Sequence, residues 1–230
     1  MYNNKMIIVS FTTWKPRISD VAKTIYMLER QTLIPDIIIL NLSEEEFIHK
    51  EKDLPDDLML LLTMLDNIKL NWVKENTKAF KKVIPTIENY YNTDCWILSV
   101  DDDYFYNANY VKFMVDTAEA NPNMFLTPGI AGKHIHGWCA IYTPTFFKDK
   151  NLFKIKKCDC DKIVSSDLWI TLNLLNNGIK PKIVKNIKRY YLPLEEKVPL
   201  HKIYKKIPLH DRYATCYEVF RKIGLETKRY

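Results

Sequence analysis

The chain has 230 residues, 47% of them hydrophobic and 27% charged, with a formal net charge of +6. That balance suits a single large globular domain and excludes a wholly disordered or fibrous chain. No run of about 18 uninterrupted apolar residues occurs, which excludes a membrane-spanning helix of the usual kind.

The amino-terminal stretch MYNNKMIIVSFTTW is too short and too polar for a signal peptide, so the protein is expected in the cytoplasm. Within it MIIVSFT (6–12) is a continuous apolar run, the pattern of a strand buried on both faces. Residues 18–30 place Ile18, Val21, Ile25 and Leu28 at helical spacing. A second buried strand is predicted at 35–43, a helix at 57–65 and a third strand at 67–73. Residues 78–91 read as a helix carrying Pro85 near a break or bend. CWILSV (95–100) is the fourth strand, and 108–120 is again helical. From 121 the pattern loosens. HGWCAIYTP reads as a strand, 165–178 as a helix with Ser165 or Ser166 at its start and Gly178 past its end, and 180–184 as a last strand. A basic, proline-punctuated tail ends in a helix near 211–223.

Alternating strands and helices predict an α/β fold with a mostly parallel sheet covered on both sides. Residues 1–185 are expected to form the main domain and 186–230 an extension packed on it. Ligands of such sheets bind beyond the carboxyl ends of the strands. SFTTW, NLSEEEF and the triplet Asp101-Asp102-Asp103 all fall at such ends.

Three adjacent carboxylates repel, so the triplet demands a counter-charge. Alternation sends Asp101 and Asp103 to one side, where they would make a hard oxygen site for Mg2+ or Mn2+. A solvated turn would account for them as well. The basic excess implies an anionic partner, a phosphate-bearing substrate, a membrane surface or nucleic acid. The 14 Tyr and 13% aromatic content allow stacking surfaces for planar ligands or sugars. The five Cys include a Cys158-Asp159-Cys160 triplet but no CxxC pair, and are read as incidental reduced thiols.

In that order, VSFTTWKPRI, QTLIPDIIILNLSEEEF, FKKVIP, SVDDD and SSDLW resemble a GT-A fold glycosyltransferase of the family-2-like kind, over roughly residues 6 to 178. The resemblance implies a nucleotide-sugar donor, a divalent ion held by a DXD motif, and inversion at the anomeric carbon. Asp101, Asp102 and Asp103 match that motif, with Asp103 as direct metal ligand and Asp101 sharing the metal or touching the ribose. Thr12, Thr13 and Trp14 match the loop that holds the nucleotide, followed by Arg17. Asp167 matches the general base, and a helix start is an equally ordinary place for a capping Asp. Lys81 and Lys82 would reach the diphosphate, or else form a solvated helix face. His210 would complete the metal shell, and His136, Gly137 and Trp138 would line the acceptor cleft.

The function expected is therefore transfer of a sugar from a nucleotide-sugar, of the UDP class, to a hydroxyl of a glycan or lipid-linked acceptor. The basic tail, with KNIKRYY and HKIYKK, would allow peripheral contact with the inner face of the cell membrane. A nucleotidyltransferase would normally carry a glycine-rich loop near the amino terminus, and SFTTWKPR has no glycine. A nucleic-acid-binding module needs basic and aromatic residues on one face, whereas the acidic edge would repel phosphates unless a metal intervened, so no nucleic-acid partner is expected. A non-catalytic sugar-binding protein would be favoured by loss of the triplet or of Asp167, and both are present.

Overall fold

Four parallel strands make the centre of the molecule: β1 (Met6–Thr12), β2 (Ile37–Ser43), β3 (Ile68–Val73) and β4 (Cys95–Ser99). The computed structural model describes residues 5–131, 134–135, 139–163, 166–194 and 208–225. Ile7, Ile8, Val9 and Phe11 of β1 and Trp96, Ile97 and Leu98 of β4 are all but fully buried. Strands covered on both faces need such continuous apolar runs, which is why the sequence shows no alternation there.

The sheet continues through β6 (Met124–Thr127), β9 (Ile141–Tyr142) and β10 (Lys180–Ile183), in the order β10-β6-β9-β4-β1-β2-β3. All neighbours are parallel except β9, which runs antiparallel to both β4 and β6. From β1 the chain proceeds outward to β2 and β3, then returns to place β4 on the other side of β1. The crevice between the carboxyl ends of β1 and β4 is thus a topological switch point, where open α/β sheets bind ligands.

Two predicted helices divide. Residues 15–29 form a 3-10 turn, Lys15–Asp20, then α1 (Val21–Glu29), which buries Val21, Ile25 and Leu28. Residues 78–89 form a 3-10 turn, Lys78–Lys82, then α3 (Ile84–Asn89). Pro85 lies in the first turn of α3, where its missing N–H costs nothing. The remaining predicted helices are α2 (Asp56–Met64), α4 (Tyr110–Glu119), α6 (Asp167–Asn176) and α7 (Leu209–Lys222). Gly178 takes the left-handed conformation just past α6, with φ 76°, the usual end of a helix.

Several short elements escape the sequence patterns: β6, the helix α5 (Lys157–Ile163), and the pairs β5 (Tyr104–Tyr106) with β11 (Tyr191–Pro193) and β7 (Ile130–Ala131) with β8 (His134–Ile135). Of the strand read in HGWCAIYTP, the described residues 139–144 contain β9. The described parts of 186–225 close on the main body. β11 pairs with β5, and Phe220 of α7 meets Trp169 of α6 edge to face at 5.7 Å.

Part of the tyrosine excess is structural. Tyr106, Tyr110 and Tyr142 lie in the core, so the reading of tyrosines as ligand surfaces does not extend to them.

Candidate functional site

The acidic triplet leaves β4 beside the loop that leaves β1, because Ser10 and Ser99 are in register. Asp102 turns inward, with a side chain only 3% exposed. It accepts a hydrogen bond from Thr13 Oγ1 at 2.6 Å and an ion pair from Arg17. The second arm of the Arg17 guanidinium donates to Asp103 Oδ2 at 3.0 Å. Lys82 Nζ donates to Asp101 Oδ1 at 2.7 Å. Arg17 and Lys82 therefore supply the counter-charge that the triplet demands.

Burial pushes the Asp102 carboxyl up to about 6, even against the pull of Arg17 and Thr13. Burial acts the other way on Arg17, but Asp102 and Asp103 outweigh it and hold the guanidinium above its ordinary value. At neutral pH both partners are charged and the fork is intact.

A buried polar network aims Lys82. Its carbonyl accepts from Ser10 Oγ at 2.6 Å, and the Ser10 and Thr86 hydroxyls share a bond of 2.7 Å. Asn41 of β2 donates to both hydroxyls at 3.1 Å. The turn Lys78–Lys82 is thus pinned to β1, β2 and α3, and its last residue projects toward the triplet. Burial lowers Lys82, while Asp101 and Asp167 together raise it well above an ordinary lysine. Asp167, the first residue of α6, contributes to the field that raises Lys82. Tyr142 on β9 and Tyr213 on α7 also feel the Asp167 carboxylate. Neither tyrosine was expected here, and no local pattern marks them, since only tertiary packing brings β9 and α7 to α6.

The other expected residues divide. Thr12 Oγ1 donates to the Asn41 carbonyl at 2.7 Å and ties the ends of β1 and β2 together. Trp14 has a buried indole nitrogen with no hydrogen-bond partner. Lys81 differs from its neighbour: it is buried, paired with Glu46, and donates to Asn76 Oδ1 at 2.8 Å. Its charge is committed inside the protein, because alternate residues of a tight turn point to different sides. His210 stands exposed in the first turn of α7, with Nε2 2.7 Å from Asp211 Oδ1, and among the described residues it joins no group of three possible metal ligands. His136, Gly137 and Trp138 lie outside the described residues. Ser166 sits at the start of α6 but makes no side-chain capping bond.

Among the described residues no group of three His, Cys, Asp or Glu forms a ready metal cage. The Cys triplet splits, Cys158 exposed and Cys160 buried. Asp101 and Asp103 retain 29% and 16% side-chain exposure, against 3% for Asp102. These two carboxylates fit an Mg2+ or Mn2+ ion that takes its other ligands from water and a diphosphate.

No protein-family model matches the chain, and no curated protein matches it. Solved structures do match, and what they share with the chain is its α/β fold with a mostly parallel sheet. One is S. aureus TarS, at TM-score 0.53 and 12% identity, covering 96% of this chain and 44% of that one. Another is S. aureus TarS 1-349 in complex with UDP, at TM-score 0.54 and 12% identity, covering 96% of this chain and 72% of that one. The chain spans less than half of the first TarS chain.

Proposed function

We propose that the protein is a glycosyltransferase that moves a sugar from a nucleotide-sugar, of the UDP class, to a hydroxyl of a glycan or lipid-linked acceptor. The observation that carries this reading is the meeting of Asp101, Asp102 and Asp103 with Arg17 and Lys82 at the switch between β1 and β4. A similar fold holding UDP supports the donor class.

In this reading Thr12, Thr13 and Trp14 receive the nucleotide base and ribose. Arg17 and Lys82 face the diphosphate as a fork and a point charge. Asp101 and Asp103 hold Mn2+ or Mg2+. When bound, the ion offsets the charge growing on the diphosphate leaving group. Asp167 takes the proton of the acceptor hydroxyl as that oxygen attacks the anomeric carbon from the opposite face, which inverts its configuration. His136, Gly137 and Trp138 are assigned to the acceptor side. A lipid-linked acceptor sets the work at the cytoplasmic face of the membrane.

Calorimetry with UDP tests the donor site. UDP should bind more tightly with Mn2+ or Mg2+ than with EDTA, and Asp103→Asn should remove most of that difference. Equal affinity with and without metal would take the ion away from Asp101 and Asp103.

A further inference from the structure

The ribbon of β5 and β11 has an inner and an outer face. Its register pairs Tyr106 with Tyr191, Phe105 with Leu192 and Tyr104 with Pro193. The tyrosines turn inward, where Tyr104 meets Tyr191 edge to face at 5.3 Å and Tyr106 lies 4.7 Å from Tyr110. Phe105 and Leu192 are therefore neighbours on the outer face, 45% and 63% exposed. Leu194, two residues farther along, falls on that face too and is 36% exposed. A ribbon with one face on the core normally turns polar residues to water. This one turns three large apolar side chains outward together, the mark of an interaction surface.

The turn that leads into β11 is basic: Lys185, Lys188 and Arg189 are all exposed, and Glu195 and Glu196 follow Leu194 in the chain. Lys188 and Arg189 belong to the turn that leads into β11, and Tyr190, stacked on Phe113 at 4.2 Å, anchors that turn. An anionic polymer in solution would engage the cations and leave the apolar residues idle. An anionic bilayer uses both, phosphates for the cations and the headgroup–acyl boundary for the apolar side chains.

We propose that this face docks on an anionic membrane surface, with Phe105, Leu192 and Leu194 entering the interface and Lys188 and Arg189 lying on lipid phosphates. The proposal rests on the reading of the acceptor as lipid-linked, and it adds the surface that meets the lipid. The Leu194 N–H donates to the Asp103 carbonyl at 2.8 Å, so the docked ribbon runs directly into the acidic site.

The test is sedimentation of the full chain with vesicles of phosphatidylcholine, alone or mixed with phosphatidylglycerol. The protein should sediment with the mixed vesicles and not with the neutral ones. Phe105→Ser with Leu192→Ser should weaken that binding about tenfold or more. Lys188→Gln with Arg189→Gln should do the same. Leu192→Glu, a change at an exposed position, is the alternative should the double serine variant melt early. Failure of the parent to bind mixed vesicles overturns the proposal. So does undiminished binding by the apolar variants, which would leave an electrostatic surface suited to an anionic polymer. UDP titration of the same proteins separates the two readings. A parent that binds vesicles but not UDP keeps the docking face and loses the nucleotide-sugar site.

Discussion

Asp102 and Asp103 share one guanidinium, and that arrangement explains how three adjacent carboxylates persist at the end of a buried strand. A planar fork serves two carboxylates at once, which a lysine at position 17 could not do. Asp101 has its own cation in Lys82, and Lys82 also faces Asp167. The roles of Asp167 as base and as helix-start residue fail differently. Asp167→Asn keeps the shape and an oxygen acceptor, so its melting curve should move by about 1 kcal/mol or less. It cannot take a proton, and its transfer rate should fall about 10²–10⁴-fold. A transfer assay beside a melting curve on one preparation checks both. Near-parental transfer would make Asp167 a structural residue. The triplet, Arg17, Lys82 and Asp167 were all legible in the sequence, because charged residues at strand ends and helix starts stand out from apolar runs. The commitment of Lys81 to Glu46 was not, since neighbouring lysines in one turn look alike until the turn is folded.

At the scale of elements, the turn Lys78–Lys82 depends on β1 and β2 through one hydroxyl. Ser10→Ala would remove the donor to the Lys82 carbonyl and an acceptor of the Asn41 amide. With the Thr86 hydroxyl, three buried polar groups would lose a partner, at a cost of about 1–3 kcal/mol, read as a lower urea midpoint with an unchanged slope. Ser10 lies inside a strand read from its apolar neighbours, and nothing in that run shows that its hydroxyl holds a distant turn. The same limit explains the elements that were missed. β5, β7, β8 and β11 are three residues long or shorter. Strands of that length show no period, and only their partners make them strands. The long strands and the helices with apolar stripes were legible because each carries its own pattern. The breaks at Lys15–Asp20 and Lys78–Lys82 were not, because a 3-10 turn continues the helical spacing for a few residues.

For the whole molecule, burial has a consequence at alkaline pH. Cys95, Cys139, Cys160 and Cys216 are each pushed up to about 12, first of all by burial. The unfolded chain releases these protons from about pH 9, while the folded chain keeps them. The stability that burying these thiols contributes is therefore present below their ordinary range and is lost as pH rises from about 9 toward 12. Melting temperatures followed by circular dichroism should hold level to about pH 9 and then decline steeply. A different vulnerability lies in the sheet. β9 is two residues long, meets β4 through Ile97–Tyr142 and Leu98–Ile141, and meets β6 through Leu126–Ile141 alone. Ser99 reinforces the first of these joins, its N–H donating to the Ala140 carbonyl at 2.8 Å. On one side stand four long parallel strands, and on the other only β6 and β10. This narrow seam divides the sheet into two units that need not open together. In native-state hydrogen exchange the amides of β6 and β10 should be released ahead of those of β1, β2 and β4, and simultaneous release would show a single cooperative sheet. The acidic triplet belongs to the slower unit, so the rim that carries it would outlast the first rupture of the fold.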